Sequence, residues 1–194
     1  MEIQWTKHRF SGGLLALDLV NTVVRRNDPA RCIDRFGTRE NIEAFAQAAL
    51  RFCGGELPAG KVAMPRAERD KDALIGLRDR IDDYLRPCVT SSVESCDALA
   101  RLFDVAAVAS RDVSERSGVR SFGYYASISA MKLLDQRMLA RCKVCPDCDW
   151  LFVDQSKNQS RMWCDMTVCG NRAKAKAYYA RTIKQKSRLE GMPT

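Results

Sequence analysis

The chain has 194 residues, 32 of them Lys or Arg and 24 Asp or Glu, for a formal net charge of +8. Hydrophobic residues make up 46% and charged residues 29%, a globular composition sized for one or two domains. Nine cysteines stand beside one histidine, His8, which excludes a His-rich metal site and a Cys₂His₂ finger.

From the N-terminus, residues 1–9 lack the apolar core and cleavage site of a secretory signal. Gly12-Gly13 marks a turn before Leu14, Leu15, Leu17, Leu19, Val20, Val23 and Val24, a set that predicts a buried helix over residues 14–24. Asp18, Asn21 and Thr22 interrupt it, so it falls well short of the ~20 apolar residues of a membrane span. The expectation is a cytoplasmic protein with reduced thiols and no membrane partner. Thr38 can cap a helix over residues 39–52 with Ile42, Phe45, Ala46 and Ala49 on one face. Residues 68–85 carry Leu74, Leu77, Ile81, Tyr84 and Leu85 at three-and-four spacing, with Pro87 as the stop. Residues 94–109 predict a helix with Leu99, Leu102, Phe103, Ala106 and Ala107 inward. Residues 120–125 read as a strand, and residues 127–140 return to helical spacing.

Cys32, Cys53, Cys88 and Cys96 are scattered singly and read as small hydrophobes. Cys142, Cys145, Cys148, Cys164 and Cys169 fall within 28 residues. Charge divides at the same place: residues 1–140 hold 21 basic and 19 acidic residues, and residues 141–194 hold 11 and 5. Two units are therefore expected, 1–140 and 141–194. The fold class is α+β: a predominantly helical first domain, then a small treble-clef-like zinc finger of knuckle, β-hairpin and helix.

Two close thiol pairs about 15 residues apart suit a tetrahedral zinc ion. Cys145, Cys148, Cys164 and Cys169 fill the coordination shell, so one Zn²⁺ is expected in a structural role, with Cys142 as the alternative to Cys145. A redox Cys-x₂-Cys pair and an iron–sulfur cluster are the rival uses of these thiols. Residues 150–153 and 161–163 predict the two strands of a hairpin, joined by the polar turn 154–160. Trp150 and Trp163 beside the ligands are read as the finger's small core.

Trp163-Cys164, then Cys169-Gly170-Asn171-Arg172-Ala-Lys174, resembles the CGNR zinc-finger family, and Cys148-Asp-Trp150-Leu-Phe152-Val-Asp154 is similar to its first half. Gly12-Gly-Leu-Leu-Ala-Leu-Asp18-Leu-Val-Asn21-Thr22 resembles the opening of the ABATE domain, that family's usual N-terminal partner. The resemblance implies a stress-responsive bacterial transcription regulator that binds DNA.

The helix after Gly170 places Ala173, Ala177, Ala180 and Ile183 on one side, expected to pack on the hairpin. Lys174, Arg181 and Arg188 recur on the other side with Tyr178 and Gln185. With Arg172, Lys176, Lys184, Lys157 and Arg161 they are the candidate contacts to double-stranded DNA. Four thiolates on Zn²⁺ carry net −2, leaving the segment at about +4. A protein or RNA adaptor is the alternative function. Specificity from one finger calls for a homodimer or second partner. Asp18 and Asn21 are candidate contacts to a small-molecule effector, against the plainer reading of internal hydrogen bonds. Arg120, Tyr124 and Tyr125 are further candidates for such a pocket. No acid–base or nucleophile set is recognisable, so catalysis is not expected.

Overall fold

A computed structural model describes residues 3–111 and 118–190, with residues 184–190 given by their backbone course. After a tight helical turn at Lys7–Phe10, the most apolar stretch of the chain becomes helix α1, Leu15–Val20. All six of its residues are buried. It is shorter than the helix predicted over 14–24. Its first amides are capped from a distance: the Glu56 carboxylate accepts the Leu15 N–H at 2.6 Å and Ser129 Oγ accepts that of Ala16 at 3.0 Å. These bonds satisfy donors that a helix leaves open at its start. Val23–Val24 then leaves as strand β1 and pairs antiparallel with β2, Ile33–Asp34. The β-branched pair thus lies in a strand, beyond the Asn21 that follows the helix.

Helix α2, Arg39–Phe52, starts at Thr38, whose hydroxyl accepts from the Asn41 N–H. It buries Ile42, Phe45, Ala46 and Ala49, as the periodicity predicts. A short strand β3, Val62–Ala63, precedes α3, Glu68–Ser91. Pro87 does not stop α3. Pro87 is half-buried and costs one amide, while Tyr84, Leu85 and Cys88 around it are buried and hold the helix to the core. Helix α4, Cys96–Ser110, buries Ala98, Leu102, Ala106 and Ala109 but leaves Phe103 and Ala107 exposed.

The strand expected at 120–125 shrinks to β4, Arg120–Ser121, parallel to β3. Ser121 then caps α5, Phe122–Lys132, by accepting the Tyr124 N–H at 3.0 Å. Tyr124 and Tyr125 therefore lie on a helix. Gly123 makes this possible, because a Cβ there would strike the Ala109 carbonyl of α4. The helix predicted over 127–140 is in fact the end of α5 and the single turn α6, Gln136–Leu139, capped by Asp135. α1 runs through the middle, against α3 and α5. Trp5, Phe10, Phe36, Phe45 and Phe122 form an aromatic cluster beside it.

The core does not end at residue 140. Strands β5, Cys142–Val144, and β6, Leu151–Val153, form an antiparallel hairpin, and Cys142, Leu151 and Val153 are buried with the residues of α1 and α3. Among the described residues no helix is long and apolar enough to cross a membrane.

Candidate metal centre

The hairpin straddles the first cysteine pair instead of lying between the two pairs. Cys145 closes it, donating its N–H to the Trp150 carbonyl at 2.8 Å, and the chain reverses through Pro146, Asp147 and Cys148. Asp149 completes the reversal at φ +65°, where its short polar side chain is tolerated. Residues 161–163, predicted as a strand, pair with nothing as a strand. Asp154 and Lys143 take their main-chain groups: the fully buried Asp154 carboxylate accepts the Arg161 N–H, and Lys143 donates to the carbonyls of Gln159 and Arg161. Lys143 also pairs with Asp154 at 2.7 Å. Hydrogen bonds from Lys143, Ser156 and Arg161 hold the Asp154 carboxyl well below the usual carboxylate range, against its burial. Neither residue was singled out from the sequence; the clue was an acid within an otherwise apolar strand end.

Of the second pair, Cys164 precedes and Cys169 sits on a wide π-type turn, Met166–Gly170, which continues into α7, Asn171–Glu190. Asp165 starts it by accepting from the Thr167 N–H and hydroxyl. Cys169 and Gly170 both donate to the Asp165 carbonyl.

Cys145, Cys148, Cys164 and Cys169 converge, with all four sulfurs within 4.8 Å of one another and all four residues buried. The Cys148–Cys164 and Cys164–Cys169 sulfurs are 3.5 and 3.7 Å apart. A tetrahedron with metal–sulfur bonds of ~2.3 Å has edges of ~3.8 Å, so these separations fit a zinc ion. Hydrogen bonds from Cys148 and Cys164 hold Cys145 far below the ordinary thiol range, while Cys148 and Cys164 are pushed up by their bonds to Cys145. Burial pushes Cys169 up to about 11. Four thiolates at this spacing need a metal to coexist. The set is consistent with one structural Zn²⁺. Cys142 stands apart, donating to the Met138 carbonyl in the core, and burial raises it to about 11. Trp150 and Phe152 pack with the four cysteines, and Trp163 lies partly buried against them.

The finger is joined to the helical body by hydrogen bonds. The Asn21 side chain donates to the Leu151 carbonyl at 2.8 Å and accepts the Leu151 N–H at 3.0 Å, all buried. This is the internal use of Asn21, not a pocket contact. Arg25 N–H donates to the Cys148 carbonyl, Arg86 pairs with Asp149 at 3.2 Å, and His8 meets Asp165 at 2.9 Å. Asp18 accepts the Gly12 N–H at 2.7 Å and lines a cavity of about 210 Å³ with Phe10, Phe52, Cys53 and Glu56. Burial raises its carboxyl to about 7.

Of the candidate nucleic-acid contacts, Arg172 and Lys176 are drawn to Asp147 of the knuckle, at 3.2 and 2.6 Å. Arg161 is half-buried, donates to the Trp163 carbonyl and lies over Phe152. Lys157, Lys174 and Arg181 are exposed. The side chains of Lys184, Gln185 and Arg188 lie outside the described residues. The expected packing of α7 on the hairpin is not seen. Ala173 is half-buried, while Ala177, Ala180 and Ile183 are exposed. Helical spacing shows which side chains share a face, and here the body ends before that face begins. Tyr124 and Tyr125 contact one another edge to face, with Arg120 over the Tyr124 ring, but the structure brings neither into the Asp18 cavity.

Comparison with curated proteins finds no match. Comparison with protein families finds that residues 140–182, the stretch from β5 into α7 that carries all four sulfurs, match the CGNR zinc finger.

Proposed function

We propose that the protein is a cytoplasmic, non-catalytic regulator of bacterial transcription that binds duplex DNA through α7, with zinc holding the treble-clef-like finger that presents it. The observation behind this reading is the state of α7. From Lys174 to Ile183 every residue is exposed, and no acidic residue interrupts the helix before Glu190. A bare cationic helix of this width suits the major groove. Lys174 and Arg181 stand ready as contacts, and Lys157 can reach phosphate. Arg172 and Lys176 instead fix the base of the helix to the knuckle through Asp147. The helical body would sense an effector at the Asp18 cavity or pair two copies, giving the second half-site that one finger lacks.

The test is a fluorescence titration of labelled duplexes with zinc-loaded protein. Log K is expected to fall linearly with log salt, by ~0.9 per phosphate contact, and Lys174→Ala with Arg181→Ala should flatten that slope by about two contacts. Absence of binding, or binding indifferent to salt, contradicts the proposal. The exposed Tyr179, Met162 and Met166 favour a second reading, a protein adaptor. Partner capture unaffected by the Lys174→Ala, Arg181→Ala pair would select it.

A further inference from the structure

We propose that Arg35, in the N-terminal part of the chain, is the fixed counter-charge of the zinc–thiolate centre, so that a residue outside the matched finger sets how firmly the metal is held. The centre carries net −2 with its metal. Its sulfurs belong to residues no more than 5% exposed, and a buried charge needs a partner. The finger's own cations are committed elsewhere: Lys143 to Asp154, Arg161 to the Trp163 carbonyl, and Arg172 and Lys176 to Asp147. Most nearby arginines of the body are paired with acids, and Arg25 meets a carbonyl of the knuckle, that of Asp147. Arg86 and Arg26 pair with Asp82, and Arg78 pairs with Asp34.

Arg35, like Arg25, has no carboxylate partner among the described residues, and it is set apart by lying over the ring of Trp150. Its guanidinium carbon lies 5.2 Å from the centre of the Trp150 ring, and Trp150 is packed with the four cysteines. The backbone fixes it there. The Arg35 N–H donates to the Thr22 carbonyl at 3.0 Å, and Arg35 Nη1 donates to the Asn21 carbonyl at 3.3 Å. Asn21 in turn grips Leu151, the residue after Trp150. Immediately after β1, the Arg25 N–H binds the Cys148 carbonyl. The segment is thus laid along the knuckle. Burial and the neighbouring Arg9 lower Arg35 to about 10, with Cys148 pulling the other way. It stays charged at neutral pH, and a cation held over indole keeps its place without an acid.

This inference rests on the metal centre and is independent of what α7 binds. The test measures zinc transfer from the full-length protein to a chromogenic chelator. Arg35→Gln should weaken zinc retention by about 10-fold, the usual scale for residues that act on a metal through its ligands, and Arg35→Lys should restore it. Melting of both forms separates charge from packing. The counter-charge role predicts that Arg35→Gln lowers the midpoint of the zinc-loaded protein and spares the chelator-treated one. Equal losses in both forms, wild-type zinc retention in Arg35→Gln, or failure of lysine to restore retention overturns it. Should Arg35→Gln not fold, Arg35→Lys decides alone: wild-type retention upholds the charge role, and rapid loss of zinc ends it.

Discussion

The β5–β6 hairpin and helix α7 are neighbours in sequence, yet they are held in opposite ways. The hairpin is sewn into the body. Cys142, Leu151 and Val153 share its core, and Asn21 binds Leu151 from 130 residues away. Helix α7 leaves the finger and touches little, with Ala177, Ala180 and Ile183 exposed on the side that should have packed. Its hold on the rest is the turn bearing Cys169 and the Asp147 clamp on Arg172 and Lys176. Within one small region, burial fixes the cysteine end and leaves the cationic end exposed.

Removing the metal should break this contrast most severely. Zinc supplies roughly 10–16 kcal/mol in small fingers. Because the hairpin shares the core, chelation or Cys164→Ser is expected to lower the melting midpoint of the whole chain, not only of its last residues. Circular dichroism at helical wavelengths measures it, and a body that melts as before would separate the two regions. Next comes Leu151→Ala, expected to cost about 2–5 kcal/mol in urea unfolding. Asn21→Ala strands two buried backbone groups at about 1–3 kcal/mol each. An effect under about 0.5 kcal/mol from either would mean the joint is not tight.

A pH effect is expected inside the body. Asp18 ionises near 3.8 in the unfolded chain and near 7 when folded. The folded state therefore holds the proton more tightly. The stability this contributes is full below the unfolded value and is lost as pH rises from about 4 through about 7. Asp18→Asn retains an acceptor for the Gly12 N–H and should remove that slope. An unchanged pH profile of the unfolding free energy would refute the assignment. The smallest stability effect belongs to α7, where Lys174→Ala and Arg181→Ala should each stay within about 0.5 kcal/mol. A larger loss would show that α7 packs after all.

The metal ligands were legible because their information is local: two thiol pairs at finger spacing, flanked by aromatic residues. The helices with one strong apolar face, α2 and α3, were legible for the same reason. What escaped was set by distant partners. Nothing near Asn21 points to Leu151, and nothing near Arg35 points to Trp150. The strand expected at 161–163 failed because Asp154 and Lys143 take its backbone groups, a competition that apolar patterning cannot register. The alanine face of α7 was read correctly as a face and wrongly as an interface, since periodicity is silent about what lies opposite.

The most direct test is hydrogen exchange on the zinc-loaded protein, with and without duplex DNA. The hairpin amides of residues 142–153 should be as slow as those of α1 and α3 in both states. Those of residues 174–183 should be fast alone and slow with duplex. An α7 already as protected as α3 without DNA, or one that DNA leaves unchanged, would contradict the account.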